Sequence, residues 1–151
     1  MAYEGESGLH GWGYEGRNVD DLIAYAAKIG AHNVVDIRLN PVSRKRGFSK
    51  RALSEHLGRA GFGYVHLRAL GNPVDNRPGF SSPGTPLATA AHRRFKNDVL
   101  ATDEAAKALE KVRSLLEHGA VVLVCFEADQ RCCHRSLVID ALTSIRARVA
   151  S

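Results

Sequence analysis

The chain is 151 residues long, the size of one ordinary domain, and its 44% hydrophobic content is enough to build a packed core. No stretch approaches the ~20 consecutive apolar residues that cross a bilayer, which excludes a membrane-spanning helix and leaves no membrane partner to expect. A formal charge of +5 permits an anionic partner without demanding one.

Residues 1–8 are expected to be a polar, flexible start, with neither the basic segment nor the apolar run of a signal peptide. The three cysteines, Cys125, Cys132 and Cys133, are odd in number and clustered late, which argues against a secreted disulfide framework. The cytoplasm is the expected location, and the sequence leaves the oligomeric state unknown.

The pattern then predicts a short strand over 9–13. A helix follows, capped by Asn18, with Val19, Leu22, Ala26 and Ile29 on one face and Gly30 as its stop. A buried strand is expected over 33–37. Ser49 is placed to cap a second helix that carries Leu53, Leu57 and Ala60 inward, and a third strand is expected over 62–67. Residues 71–86 hold four of the five prolines and three glycines, a composition expected of a functional lid or of a disordered segment. Thr85 and Pro86 open a helix with Leu87, Ala91, Phe95 and Val99 inside, and Thr102 caps another with Ala105, Leu109, Val112 and Leu116. Residues 120–126 are apolar almost throughout and are expected to be a central strand covered on both faces. A last helix is expected over 130–148, with Val138, Ala141, Leu142 and Ile145 inward. Strands alternating with helices predict one three-layer α/β domain, with a mainly parallel sheet and helices on both faces.

In such a sheet, ligands bind beyond the carboxyl ends of the strands. That rule selects residues 14–17, 38–48, 69–86 and 127–135. In and around these segments lie Gly13-Tyr14-Glu15-Gly16, the run from Val35 through Asp36, Arg38 and Asn40-Pro41 to Arg44, then Gly61-Phe62-Gly63-Tyr64 at the third strand, Leu70-Gly71-Asn72-Pro73, and Cys125-Phe126-Glu127 followed by Cys133-His134-Arg135. Taken together and in this order, these runs resemble a bacterial family designated domain of unknown function 488. The resemblance implies the compact α/β fold and brings no established reaction with it. The family often has proline after the aspartate of the last loop; here Gln130 follows Asp129, which keeps its ability to cap.

Several motifs compete for the chemistry. The glycines of Gly11-Trp12-Gly13-Tyr14-Glu15-Gly16 have dinucleotide-fingerprint spacing, but the helix starts beyond the last of them, so the run reads as a glycine-rich turn exposing Tyr14 and Glu15. Cys125 and Arg131 have cysteine-phosphatase spacing, but the intervening Glu127 and Asp129 would repel phosphate, and Cys125 reads as a small apolar core residue. Cys132-Cys133-His134 suggests zinc, but adjacent cysteines on a helix point ~100° apart, so neither a metal nor a cofactor is expected. Cys133-His134-Arg135, in the first turns of a helix, is the sharpest signal, because the helix dipole favours thiolates and bound anions.

The expected site is therefore that of an enzyme, or enzyme-like binder, for an anionic small molecule, a nucleotide or a nucleic-acid end. Arg38, Arg44 and Arg135 would hold phosphate, Glu127 would be acid or base, and Cys133 and His134 would be nucleophilic or supporting groups. Tyr14, Glu15, Asp36 and Asn72 complete the ligand-binding set. The bland alternative has Arg135 paired with Asp36 or Glu127. A second functional reading is a non-catalytic nucleic-acid-binding or regulatory module. It would use the seven basic residues of 38–59, opposed only by Glu55, with Phe48 to stack on a base.

Overall fold

The strongest apolar run in the sequence becomes the centre of the sheet. In the computed structural model, which describes residues 2–4 and 8–150 and the side chains of 8–143, β5 (Ala120–Cys125) is flanked by β2 (Leu9–Gly13) and β3 (Ala31–Asp36), both parallel to it. β4 (Gly63–His66) extends the parallel sheet beyond β3. β1 (Ala2–Glu4) pairs antiparallel with β2, giving the order β1-β2-β5-β3-β4. Part of the expected flexible start is thus an edge strand, since β2 would otherwise present a row of unpaired backbone groups. The rest of that expectation, for residue 1 and residues 5–7, lies outside the described residues.

Alternation along β5 divides the core into two layers. Val122 and Val124 pack with Leu22 and Ala26 of α1 (Val19–Lys28) and with Leu53 and Leu57 of α2 (Lys50–Arg59). Val121, Leu123 and Cys125 pack with α3 (Pro86–Phe95), α4 (Asp103–Leu116) and α5 (Arg135–Ala150) on the other face. This is the three-layer α/β arrangement. Among the described residues, no helix is long and apolar enough to cross a membrane.

Helix starts follow local chemistry. Asn18 and Asp21 form a reciprocal capping box with two 2.9 Å bonds, and Thr85 and Thr102 each accept an orphan amide of their helix. Ser49 does not cap α2. Its hydroxyl donates to the Ser43 carbonyl at 3.1 Å and so ties down the preceding loop. Two inward assignments change. Leu87 is exposed, because the buried stripe of α3 runs through Ala88, Ala91 and Phe95, and Ala60 lies on the solvent side. The last helix begins later than its pattern suggests. Gln130–Cys132 is a single 3-10 turn capped by Asp129, and α5 proper starts at Arg135. The side chain of Ile145 lies outside the described ones.

Residues 71–86 fold into two 3-10 turns, Val74–Asn76 and Pro78–Ser81. The Asn76 amide donates to Asn72 Oδ1 and to the Ala91 carbonyl, each at 3.0 Å, and Phe80 packs against His92 and Phe95. These contacts fasten the segment to α3 as a wall beside the sheet edge.

Candidate functional site

The carboxyl ends of β2, β3 and β5 open onto a cavity of about 90 Å³. Six of the residues expected at the site line it: Tyr14, Arg38, Asn72, Glu127, Cys133 and His134. Arg38 and Glu127, which follow different strands, therefore share one edge and one cavity. Asp36 and Arg135 lie behind the wall, bonded to Arg38 and Cys125 respectively. Glu15 and Arg44 are exposed and do not line the cavity; Glu15 accepts from the Ala128 amide at 3.1 Å.

One side of the wall is a closed ionic cluster. Asp36 is fully buried and receives Arg38 Nε at 2.8 Å, Arg38 Nη2 at 2.6 Å and the Tyr64 hydroxyl at 2.6 Å. The remaining Arg38 nitrogen donates to the Phe48 carbonyl at 2.5 Å and the Tyr14 hydroxyl at 3.4 Å. Burial opposes the Arg38 charge, but the Asp36 carboxylate outweighs it and holds the guanidinium above its ordinary range. Burial, reinforced by Asp36, pushes the Tyr64 phenol up. Every Arg38 donor nitrogen has a protein partner, so its fork is engaged by Asp36 and not by an open ligand position. Phe48 lies under Tyr14, stacked at 4.3 Å and fully buried, so it offers no face to a base.

The other side is built on sulfur. Cys125, at the end of β5, and Cys133 are joined through their sulfurs, with Cα atoms 7.5 Å apart. Cys125 is buried in the core as expected, and it also carries polar contacts: Arg135 Nη1 donates to its Sγ at 2.8 Å and to the Glu127 carbonyl at 2.7 Å. The phosphatase-like spacing points to the wrong arginine, since Arg131 is exposed and paired with Asp129 at 2.9 Å. The geometric objection to a metal also changes. Cys133 is extended (φ −133°, ψ 147°), not helical, and its partner is Cys125, not Cys132. Its Sγ stands 3.6 Å from His134 Nδ1, and His134 Nε2 is 2.8 Å from the Ile37 carbonyl oxygen. Burial pushes the His134 pKa down to about 4, and neighbouring Arg135 adds to the shift, so the ring is neutral near pH 7.

Arg135 is fully buried and has no carboxylate ion pair among the described residues; its Nε and Nη2 have no protein partner. Burial lowers its pKa to about 10, which still leaves it charged at neutral pH. The sequence reading that pairs it with Asp36 or Glu127 is corrected, because Asp36 is taken by Arg38 and the Glu127 carboxylate by Arg77 at 3.2 Å. The two strand glycines of the dinucleotide-like run serve packing. A Cβ on Gly11 would lie 3.3 Å from Arg135 Nε, and one on Gly13 would collide with the Glu127 carbonyl. Both let the start of α5 and the Glu127 segment lie against β2.

Sequence reasoning missed Arg77, which lines the cavity from the 71–86 wall, and passed over Cys125 as chemistry. The signal for Arg77 was its place in a segment already marked as functional. For Cys125 it was its position as the last residue of the central strand. The basic stretch 38–59 is largely engaged locally. Lys45 Nζ donates to the Tyr14 and Arg17 carbonyls, and Arg51 and Arg59 both face Glu55.

No curated protein and no solved structure matches the chain. The family model described as domain of unknown function DUF488 matches residues 18–142, a stretch that holds every cavity-lining residue named above except Tyr14. The chain belongs to the DUF488 family.

Proposed function

We propose that the cavity is the site of an enzyme, or enzyme-like binder, for a small anionic group, the terminal phosphate of a nucleotide or nucleic-acid end. Local charge carries the reading. Three guanidiniums, Arg38, Arg77 and Arg135, stand in or directly behind the wall against two carboxylates, Asp36 and Glu127, which leaves a local charge of +1 (three minus two). At about 90 Å³ the cavity is well below the roughly 300–1,000 Å³ of a whole drug-sized ligand pocket and suits one end of a larger molecule. Arg77 is the exchangeable cation, because its own side chain is half exposed and solvent-screened pairs are weak. A phosphate that takes Arg77 releases Glu127 to act as acid or base on an attacking hydroxyl or water.

The experiment is calorimetric titration with a 5′-phosphorylated dinucleotide and its dephosphorylated counterpart. One charge-assisted hydrogen bond predicts about tenfold tighter binding of the phosphorylated form, with inorganic phosphate competing. Equal affinities, or no competition, remove the reading. The non-catalytic nucleic-acid module rests on Arg44, Arg46 and Lys50, which are exposed on the 38–59 face. It requires a salt dependence that Arg44→Ala with Arg46→Ala flattens and Arg77→Ala does not.

A further inference from the structure

We propose that, in the reduced protein, Cys125 Sγ, Cys133 Sγ and His134 Nδ1 bind one divalent ion of the zinc class, with the fourth coordination position open to the cavity. The three donor atoms lie within 4.8 Å of one another, and all three residues are buried. Cys125 ends the central strand and Cys133 follows eight residues later, just before α5, so the connection between β5 and α5 folds back to bring the donors together. Two thiolates and an imidazole form a soft donor set that selects zinc-like ions over magnesium or calcium.

The histidine is oriented for this task. The Ile37 carbonyl can only accept, so Nε2 carries the hydrogen and the Nδ1 lone pair is left facing the sulfurs. Metal-bound histidines ordinarily make such an outer bond to a carbonyl or carboxylate. A tetrahedral zinc with ordinary Zn–S and Zn–N lengths separates sulfur from nitrogen by about 3.6 Å, and Cys133 Sγ lies 3.6 Å from His134 Nδ1. The cysteine Cα atoms, 7.5 Å apart, stand wider than the about 4.4–6.8 Å usual for a crosslinked pair. Arg135 adds Nη1–H to Cys125 Sγ at 2.8 Å and its backbone N–H to Cys133 Sγ at 3.4 Å, both of which favour thiolates. Three protein ligands with a fourth position facing a cavity is the pattern of zinc sites that bind water or substrate. Glu127, whose Oε2 is 3.8 Å from Cys125 Sγ, borders that position.

The chemistry balances in two steps. A water-soluble phosphine opens the Cys125–Cys133 bond: it takes oxygen from water to become the phosphine oxide, and the water's two hydrogens leave two thiols. The divalent ion then displaces the two thiol protons and binds two thiolates and the neutral imidazole. The test is anaerobic titration of the reduced protein with cobalt(II), which reports its ligands by colour. The expected result is one equivalent per chain, with thiolate-to-cobalt charge-transfer absorption and the intense visible bands of a tetrahedral ion; zinc then bleaches both. Cys133→Ser should lower the charge-transfer intensity to about half, one of two thiolates remaining, and His134→Ala should weaken binding by more than about tenfold. Cys132→Ser, outside the cluster, should leave the spectrum unchanged. Wild-type protein that binds no cobalt, or binds it without charge transfer, overturns the proposal even if a variant fails to fold. A spectrum lost in Cys132→Ser but kept in Cys133→Ser overturns it too. Because the readout needs no anion, its failure leaves the phosphate reading standing, and failure of the phosphate titration leaves the metal site standing.

Discussion

Asp36 and Arg135 are both completely buried, yet their charges are compensated in opposite ways. Asp36 is closed on all sides: a bidentate arginine, a phenol and the Arg38 amide satisfy its two oxygens. Arg135 receives a sulfur and a backbone carbonyl, and among the described residues it has no carboxylate and two of its nitrogens have no partner. The two clusters face the same cavity from opposite layers of one sheet. Buried polar groups are costly unless matched, so a complete cluster reads as architecture and an incomplete one as a place where an ion or substrate finishes the set.

The largest effect belongs to the complete cluster. Asp36→Ala leaves the buried Arg38 guanidinium without its counterion, and removing one member of a buried pair costs about 3–5 kcal/mol. Urea unfolding followed by circular dichroism measures it. Replacing both partners, Asp36→Ala with Arg38→Met, should cost less than the single change. A loss below about 1 kcal/mol for Asp36→Ala would mean that water reaches this cluster and that it is no more closed than its neighbour.

Next comes acid. His134 is depressed from 6.5 to about 4, so between those values the unfolded chain binds a proton that the folded chain refuses. Stability then rises with pH, and acidification removes up to about 3 kcal/mol on passing down through that window. Unfolding measured in metal-free buffer across the window should show this slope in the wild type and a shallower one in His134→Gln. Identical slopes would place the ring in contact with water.

Most of the architecture was legible because it follows local rules. The Asn18 capping box, the Thr102 cap and the apolar run of β5 each fix an element from neighbouring residues alone. The cavity was legible at the level of segments, since the ends of parallel strands are a topological consequence. The partners within it were not. Arg38 takes Asp36, Glu127 takes Arg77 and Cys125 meets Cys133, and each choice is made by which layer a side chain faces. One misplaced helix start also put Cys133 on a helix, where it would have pointed away from His134. The extended turn that brings them together is visible only once α5 begins at Arg135.

A third effect probes the packing that seats Arg135. Gly13→Ala drives a methyl group into the Glu127 backbone, which cannot swing aside as a side-chain tip would. Overpacking of this kind costs about 1–3 kcal/mol. Gly11→Ala, which meets side-chain atoms of Gln130 and Arg135, should cost less. Thermal unfolding of the two variants ranks them, and the reverse order would show that the start of α5 is held more firmly than the Glu127 segment.

The smallest effect on stability should be the most informative about function. Arg77 reaches Glu127 at 3.2 Å with half of its own side chain exposed, so solvent screens the pair and its loss in Arg77→Ala should change stability by no more than about 0.5 kcal/mol. Among the described residues, the same change removes the one guanidinium of the wall that is neither locked to a buried carboxylate nor hidden behind Cys125. Binding of the phosphorylated dinucleotide should therefore weaken about tenfold, the worth of one charge-assisted hydrogen bond, while the dephosphorylated control is unaffected. Chemical unfolding and calorimetry on the same preparation separate the two quantities. If Arg77→Ala instead costs stability and leaves binding alone, Arg77 belongs with Arg38 as architecture, and the cation that meets the ligand must be sought elsewhere on the cavity rim.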